Sequence, residues 1–578
     1  MSVGQGEFSV KNSEIARIFF ELANLLECKG EDFFKIRAYR HAAKVLAGLT
    51  EPVVEIHKRG ALGEVPGVGK KIAGKIIEIL STGRLKKHDD LLQEIPAGML
   101  EIMALPGIGP KMACMLREKL NISGPADLLA AARSGRVRGL PGMGINREME
   151  IIRNIEMRQS KSGRVLLVTA KELAGEIIDY IKSVPGVTRV EAGGSLRRWQ
   201  ETVGDVDLVA SAENSRLVFE AMTGHPRVEK VVEMSGEWAR FGTNCGINID
   251  LEVVPEELFS LALHKSTGSK AHYQRLQELF AAKNVQLDPA ILENSALTLQ
   301  EENIYAALGL PYIPPEIRED RCEIEHALEN NLPELVELQD IKGDLHVHTD
   351  WSDGLGSIEK MVERARAKDY RYIAITDHSQ SLKIAGGLSL DRLKVQHREI
   401  GRLNEKYKDN TGDFRILTGI EVDILPQGGL DCPDEILADM DLVVASVHSA
   451  FRQDRDKMTA RIVSAIENKN VDIIGHLTGR IIGRRAEYDL DLERVLEAAA
   501  RCGKIMEINA SPDRLDLNDV NARLAKNKGV KIAVNSDAHN IRRLDEMPFG
   551  VAVARRAWLE ADDVINTLTL KKLLRKLK

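Results

Sequence analysis

Two aspartates stand one residue apart, at Asp205 and Asp207, just after the glycine turn Gly193-Gly-Ser-Leu-Arg-Arg. Side chains at i and i+2 of a strand share a face. Both carboxylates therefore project together, with Val206 turned to a core. Adjacent carboxylates raise each other's pKa unless a cation lies between them. A divalent metal resolves the repulsion, and the N–H groups of the turn suit a metal-bound triphosphate. Two bridging metals need a third carboxylate. The alternating stretch Gly246-Ile-Asn-Ile-Asp-Leu-Glu-Val-Val-Pro offers Asp250 and Glu252 on one face. Asp250 is the stronger candidate, because Glu252 lies nearer the strand end.

A second constellation occupies the last third. Short apolar runs repeatedly end in metal-ligand types: His346 and His348, Asp377 and His378, Glu421, His448, His476, Asn509, then Asp537 and His539. Six of the fourteen histidines sit at those ends. With Asp353, Glu421 and Asp537 they make nine candidate ligands. Mixed imidazole and carboxylate donors suit Mn²⁺ or Zn²⁺ better than Mg²⁺. Two or three such ions would activate a water and clamp a phosphate. Asp344 and Asp377 are placed to orient histidines, and Asn509 reads as structural. Arg480, Arg484 and Arg485 suit either a phosphate backbone or a solvated loop.

The elements that position these groups follow from spacing and composition. The chain has 578 residues, enough for several cores. The apolar fraction of 43% argues against disorder. No apolar run is long enough to span a bilayer, and the charged first thirty residues are no secretion signal. The six cysteines lie far apart with no CxxC, which predicts a reduced, cytoplasmic protein without cysteine–zinc ribbons. Net charge is +5 for residues 1–160, −13 for 161–340 and +1 for 341–578. A polyanion would therefore dock on the N-terminal part, and 316–340 reads as solvated surface and connector. From Ile341 the ligand-bearing ends recur about every thirty residues, the length of one strand plus one helix. Seven such units predict a barrel with its chemistry at the strand C-termini.

The N-terminal third opens with helical patterns through Ile15, Phe19, Leu22 and Leu26, then Phe33, Ile36, Tyr39 and Ala43. Arg37, Arg40 and Lys44 flank the second pattern as a basic face. Three related hairpins follow: Val65-Pro-Gly-Val-Gly-Lys-Lys, Leu105-Pro-Gly-Ile-Gly-Pro-Lys and Leu140-Pro-Gly-Met-Gly-Ile-Asn-Arg. Each offers exposed N–H groups at a helix start, which attract a phosphate. They resemble the helix-hairpin-helix motif, which grips DNA backbones without reading sequence. Gly67, Gly69, Lys71, Gly107, Gly109 and Lys111 are the candidate DNA contacts. Their intervals differ too much in sequence to favour a solenoid. Lys71 and Lys75 share a helix face; a lysine there either holds a phosphate from the surface or, with its pKa lowered by burial, forms a Schiff base with an abasic sugar.

Gly-Ser, Arg, Gly-Asp-x-Asp, the later Asp250 and Thr267-Gly-Ser together resemble the family-X DNA polymerases over residues 8 to 320. Lys-Lys-Ile-Ala-Gly-Lys in the first hairpin helix and Tyr312-Ile-Pro-Pro-Glu-Ile-Arg-Glu fit the same pattern. The resemblance implies that Asp205 and Asp207 hold both metals and that Asp250 holds the catalytic one. It implies Ser195 and Arg198 on the β,γ-phosphates, with Gly194, Thr267, Gly268, Ser269 and Tyr273 lining the nucleotide pocket and Lys75 as a lyase lysine. His264-Lys265-Ser266 and Tyr273 depart from the family's sugar- and base-contacting residues. From Asp344 onward, Asp-Leu-His-x-His, Thr-Asp-His, Gly-Ile-Glu, Ser-Val-His, Gly-His and Ser-Asp-Ala-His resemble the PHP phosphoesterase domain. All nine ligand positions are filled.

The expected architecture is multidomain. A lyase-like helical domain (1–90) and a fingers-like helical region (91–160) carry the helix-hairpin-helix motifs. An α+β nucleotidyltransferase palm (161–255), a thumb (256–325) and a linker (326–340) follow, then an α/β PHP barrel (341–578). The resemblance implies a monomeric repair polymerase filling short gaps. Its partners are gapped or nicked double-stranded DNA and deoxynucleoside triphosphates, with Mg²⁺ or Mn²⁺ at the polymerase site. The PHP site would be a Mn²⁺-dependent 3′→5′ exonuclease, extending to abasic sites or blocked 3′ ends. The rival is a nuclease or phosphatase whose polymerase half is a DNA clamp. A nonenzymatic scaffold and a small-metabolite phosphatase fit the two constellations and the hairpins less well.

Overall fold

The computed structural model describes residues 10–577 apart from 50, 106, 145–146, 150, 153–154, 156–163, 286–299 and 409–413. Pro106, Ile145 and Asn146 of the hairpins, and the expected boundary at 160/161, lie outside the described residues. The chain forms two compact units. One is Met1–Ser162 with Ile481–Ala486 and Asn540–Arg542; the other is the remainder.

The first unit is helical. Ile15, Phe19, Leu22 and Leu26 of the helix Asn12–Cys28 are fully buried and pack on Ile36, Tyr39 and Ala43 of the helix Phe33–Gly48. The three hairpins share one turn. Val68, Ile108 and Met143 each donate an N–H to the carbonyl three residues back, at 3.0, 3.1 and 3.0 Å. Gly67, Gly107 and Gly142 all take positive φ, 76°, 78° and 74°, which only glycine adopts cheaply. The helices Lys70–Thr82 and Pro110–Leu120 start directly behind the first two turns. One expectation changes here. Cys28 and Cys114 form a disulfide with Cα atoms 5.7 Å apart. The two helices that carry them pack together across 86 residues of sequence, a proximity that spacing cannot reveal. The other four cysteines are free.

In the second unit the palm is a five-stranded sheet. Its strands belong to the set β1 (Val165–Leu166), β2 (Val187–Ala192), β3 (Thr202–Val203), β4 (Asp205–Ala212), β5 (Val228–Ser235), β6 (Trp238–Thr243) and β7 (Asn248–Val254). β1 and β3 pair separately, and the main sheet runs β2-β4-β7-β6-β5. β4 and β7 are parallel and central. Val206, Leu208, Ile249 and Leu251 pack on Ile177, Ile181, Val218 and Phe219 from the helices Leu167–Lys182 and Ser215–Thr223. That burial turns the alternate residues Asp205, Asp207 and Asp250 to the opposite face.

The thumb helices Phe259–Thr267, Lys270–Ala282 and Glu301–Ala307 surround Tyr305 and a buried Arg318–Glu301 pair at 2.7 Å. The stretch expected to be a solvated linker is packed. Leu335 and Val336 are buried, and Val336 N–H donates to Leu559 at 2.9 Å. Two apolar residues among the acids anchor it, a signal that net charge obscured.

The C-terminal region is a ring of seven parallel strands: β8 (Gly343–Val347), β9 (Tyr372–Ile375), β10 (Arg415–Asp423), β11 (Leu442–Ser446), β12 (Ile473–Ile474), β13 (Ile505–Asn509) and β14 (Ile532–Asn535). They neighbour one another in chain order. The ring closes through a parallel bridge, Val347 to Ala538. Palm, thumb and ring meet at Arg556, which is 5% exposed. It donates to Arg198 O, Glu316 O, Glu319 and Asp519 at 2.8, 3.2, 3.0 and 2.8 Å. Trp199 of the palm meets Phe549 edge-on beside it, with ring centroids 5.7 Å apart. Removing one partner of a buried ion network leaves charge uncompensated. Arg556→Ala is therefore expected to destabilise the junction by about 3 kcal/mol, the low end because Glu319 keeps Arg198 and Asp519 keeps Arg321. Calorimetry checks this: the palm–thumb transition separates from that of the ring in the variant.

Candidate active sites

The palm face gathers the expected carboxylates. Asp207 stands in register beside Asp250 across β4 and β7, and Asp205 follows beside Asn248. The glycine turn is shaped around Asp207. Gly193 N–H donates to Asp207 O at 2.8 Å. Gly194 has φ +55°, and a Cβ there would lie 1.7 Å from Asp207 Oδ2, so no side chain fits. Burial, then the charges of Asp205 and Asp250, push Asp207 up to about 7. Such a site has an unmet demand for positive charge.

Part of that demand is met by a residue outside every motif. Arg240, on β6, donates Nε and Nη2 to the two oxygens of Asp250 at 2.6 and 2.5 Å, and Nη2 lies 3.9 Å from Asp205. Its signal is weak in sequence, because the partners are joined only by the β6–β7 register. Arg198 Nε donates to Glu319 at 2.9 Å and its Nη1 to Thr267 O at 2.8 Å. Arg197 donates to Thr267 Oγ1 at 2.8 Å and pairs with Glu301 at 2.5 Å. Thr267 is thus buried and engaged as a latch between the turn and the thumb. Ser269 Oγ caps the next helix, accepting from His272 N–H. Tyr273 is half-buried, its ring 6.2 Å from His264. Lys265 is exposed and His264 buried, whereas Ser266 lies against Gly193.

In the helical unit Gly67, Gly69, Lys71, Gly107, Gly109 and Lys111 are all exposed, and Lys75 is half-buried.

At the ring's C-terminal mouth eight of the nine expected ligands converge as three clusters, each with donor atoms within 4.8 Å: His348, Asp353, His378 and His539; His346, His348 and Asp537; His378, Glu421 and His448. His476 joins through Nε2, 3.1 Å from Glu421 Oε1. Asp537 Oδ1 is 3.3 Å from His348 Nε2 and 3.8 Å from His346 Nε2. Asp353 Oδ1 is 3.3 Å from His539 Nε2 and 3.6 Å from His378 Nε2. Burial, together with nearby His539 and His378, holds His348 down at about 3. Against burial, the surrounding imidazoles keep Glu421 and Asp537 well below the usual carboxylate range. The centre therefore presents ionised carboxylates among imidazoles of two kinds: His348 is held neutral, whereas, against burial, the nearby carboxylates raise His346 and raise His448 to about 9.

Several buried donor atoms make no hydrogen bond among the described residues: His346 Nε2, both nitrogens of His348, Glu421 Oε2, His448 Nδ1 and His476 Nδ1. Buried polar atoms are normally satisfied, so this donor set fits divalent cations.

Glu507 was not anticipated. Fully buried on β13, it lies 2.7 Å from His346 Nδ1 and accepts the His476 N–H at 2.7 Å. Its signal was an acid inside the apolar run Ile505-Met-Glu-Ile. Asp344 accepts from Ser536, and Asp377 from Thr349, Ser352 and Gln396, so both brace the strand ends. Asn509 donates to Asp537 Oδ2 at 2.9 Å.

The site geometry agrees with comparisons to known proteins. Residues 10–85 match the helix-hairpin-helix domain, 99–156 the SAM-like helix-hairpin-helix tandem, 262–319 the DNA polymerase beta thumb and 344–511 the PHP domain. Asp537 and His539 lie beyond the last match and reach the centre through β14. The DNA polymerase/3′-5′ exonuclease PolX of Bacillus subtilis (strain 168) is 37% identical over 566 residues, covering 96% of this chain and 98% of that protein. DNA polymerase lambda of Arabidopsis thaliana is 25% identical over 53% of this chain and 62% of its own. A probable phosphatase of Thermoanaerobacter sp. (strain X514) is 36% identical over 39% of this chain and 89% of its own. The modules and their order define a DNA polymerase of family X with an appended PHP domain. The chain belongs to the PolX family, and it is a divalent-metal, DNA-binding enzyme.

Asp207 generates a pH prediction. Its folded-state pKa, about 7, lies above its ordinary 3.8. In metal-free protein its contribution is fully present below pH 3.8 and is lost as pH rises through 7. Asp207→Asn cannot ionise. Its melting temperature in EDTA should exceed the parent's at pH 8 by about 3 °C or more, the gap closing toward pH 4. Parallel profiles would refute the assigned shift.

Proposed function

We propose that this chain fills short DNA gaps at the palm and removes 3′ nucleotides at the ring. The observation that carries the reading is two separate carboxylate centres on one chain, at Asp205–Asp207–Asp250 and around Glu421 and Asp537. Full-length similarity to a protein named as polymerase and 3′-5′ exonuclease supports pairing the two activities, and it disfavours a nuclease whose palm is only a clamp. The substrates are gapped or nicked DNA and deoxynucleoside triphosphates. The protein acts as a cytoplasmic monomer; among the described residues no helix is long and apolar enough to cross a membrane.

Bound divalent cations, Mg²⁺ or Mn²⁺ at the palm and two or three Mn²⁺ or Zn²⁺ at the ring, neutralise phosphate charge and lower the pKa of the attacking oxygen. The side chains do the positioning. Asp205 and Asp207 hold the palm cations, while Asp250 also orients the primer 3′-hydroxyl. Ser195 and Arg198 bind the β,γ-phosphates beside the Gly194 turn. To do so Arg198 exchanges Glu319 for phosphate oxygens, and Arg556 keeps Glu319 neutralised. Thr267, Gly268 and Ser269 fix the thumb against that turn, and Tyr273 borders the base. Arg240, bonded to Asp250 here, would relinquish it to the cations that the three aspartates would hold. Phosphoryl transfer needs this positioning and charge neutralisation more than covalent help.

At the ring, His346, His348, Asp353, His378, Glu421, His448, His476, Asp537 and His539 hold the ions. Glu507 keeps the tautomer of His346. The exposed Gly67, Gly69, Lys71, Gly107, Gly109 and Lys111 hold phosphates, and Lys75 is the candidate for opening an abasic sugar.

Extension and degradation of gapped DNA with Mg²⁺ or Mn²⁺ test the two-centre reading. Asp205→Ala should lose extension by at least about 10²-fold and keep degradation; His346→Ala should do the reverse. If folded forms of either variant lose both activities, the reading fails. If the parent never extends a primer under any metal, the clamp reading replaces it.

A further inference from the structure

One cation at the PHP centre is not explained by the ligand set. Arg514 lies in the turn after β13, its side chain about one-fifth exposed, 21%, with Nε 3.9 Å from Asp537 Oδ2. That distance is too long for a hydrogen bond. Oδ2 already accepts from Asn509 at 2.9 Å, so Asp537 is oriented without Arg514. The guanidinium Nη1 is buried and makes no hydrogen bond among the described residues. A guanidinium has five donors and no acceptor, and leaving one buried without a partner is costly.

The surroundings nevertheless fix the turn firmly. Arg480 Nε donates to Arg514 O at 2.8 Å and Arg480 Nη2 to Leu515 O at 2.6 Å. Arg514 N–H donates to Ser511 O at 2.8 Å. Asp516 accepts Thr478 N–H at 3.0 Å, and Arg543 holds the Ser511 hydroxyl. Arg480 also pairs with Glu201 of the palm at 2.7 Å. A guanidinium carried on a braced turn, with an open donor beside the cluster and an edge toward solvent, is arranged for an anion that arrives with the substrate.

We propose that Arg514 is a catalytic residue of the PHP centre, binding a nonbridging oxygen of the phosphate that links the 3′-terminal nucleotide. This rests on the exonuclease reading. In that step the oxygen of water bonds to phosphorus and the bond from phosphorus to the neighbouring 3′ oxygen breaks. One water proton passes to that 3′ oxygen, releasing a 5′-mononucleotide and a 3′-hydroxyl. Arg514 neutralises charge that gathers on the nonbridging oxygens while both bonds are partial.

The test uses the full chain with Arg514→Gln and Arg514→Lys. Nucleotide release from DNA 3′ ends, primer extension as the folding control, Mn²⁺ affinity by calorimetry and inorganic phosphate binding to the Mn²⁺-loaded protein are measured together. The Gln variant should lose about 10²-fold in kcat/KM for release and about tenfold in phosphate affinity, with Mn²⁺ affinity within about threefold of the parent. Lys should recover part of the rate. Parental release by both variants overturns the proposal. So does a loss that follows Mn²⁺ affinity and disappears at saturating Mn²⁺, because Arg514 would then be a counter-ion of Asp537. If the parent binds Mn²⁺ but releases no nucleotide, the exonuclease reading falls, and the phosphate arm still decides whether Arg514 binds phosphate.

Discussion

Like charges held together under partial burial are the constraint on which this structure depends. Asp205, Asp207 and Asp250 project from adjacent parallel strands on one face, and Asp207 is pushed far above its ordinary value as a result. The fold cannot relieve that repulsion by spreading the carboxylates, because Val206, Leu208, Ile249 and Leu251 lock the strands to the core. It answers with Arg240, a cation set across the sheet on Asp250. Repulsion and counter-cation together describe a site whose charge divalent ions would balance. The ring solves the same problem differently. Glu421 and Asp537 are fully buried, yet imidazoles on neighbouring strands surround each of them. There the carboxylates stay ionised, and several imidazole nitrogens make no hydrogen bond among the described residues, a donor set that suits divalent cations.

This difference has a consequence for access. On the proposed reading, a guanidinium bonded through two nitrogens to Asp250 would have to be displaced before a cation could load there. At the ring the carboxylates raise His346 and His448, so ion loading there would displace protons instead.

Much of the arrangement was legible because it follows from period and repetition. The alternation through Asp205–Val209 and Ile247–Val253 specifies which side chains share a face, and burial follows that alternation. The recurrence of ligand types every thirty residues foretold the strand ends of the ring. The repeated Pro-Gly-x-Gly foretold three turns that share one hydrogen bond and one positive φ. What stayed hidden depends on tertiary partners. Arg240 meets Asp250 only through strand register. Arg198 meets Glu319 across 121 residues, and Cys28 meets Cys114 across 86. Glu507 left a trace, an acid in an apolar strand, but its partner His346 lies 161 residues away.

The same long-range contacts tie the two centres together. Arg198 faces the nucleotide turn, shares Glu319 with Arg556, and gives its own carbonyl to Arg556. Arg556 in turn holds Asp519, which begins the helix after the Arg514 turn. From the other side, Arg480 joins Glu201 of the palm to the carbonyls of Arg514 and Leu515. Two buried arginines thus connect the glycine turn of the palm to the turn beside the ring's ligand cluster. A charge change at Arg198 alters what Glu319 asks of Arg556, and close-packed ion networks respond to such a change as a unit. The carbonyls of Arg198 and Arg514 are thus each braced by a ring arginine that bonds to both palm and ring, Arg556 for the first and Arg480 for the second.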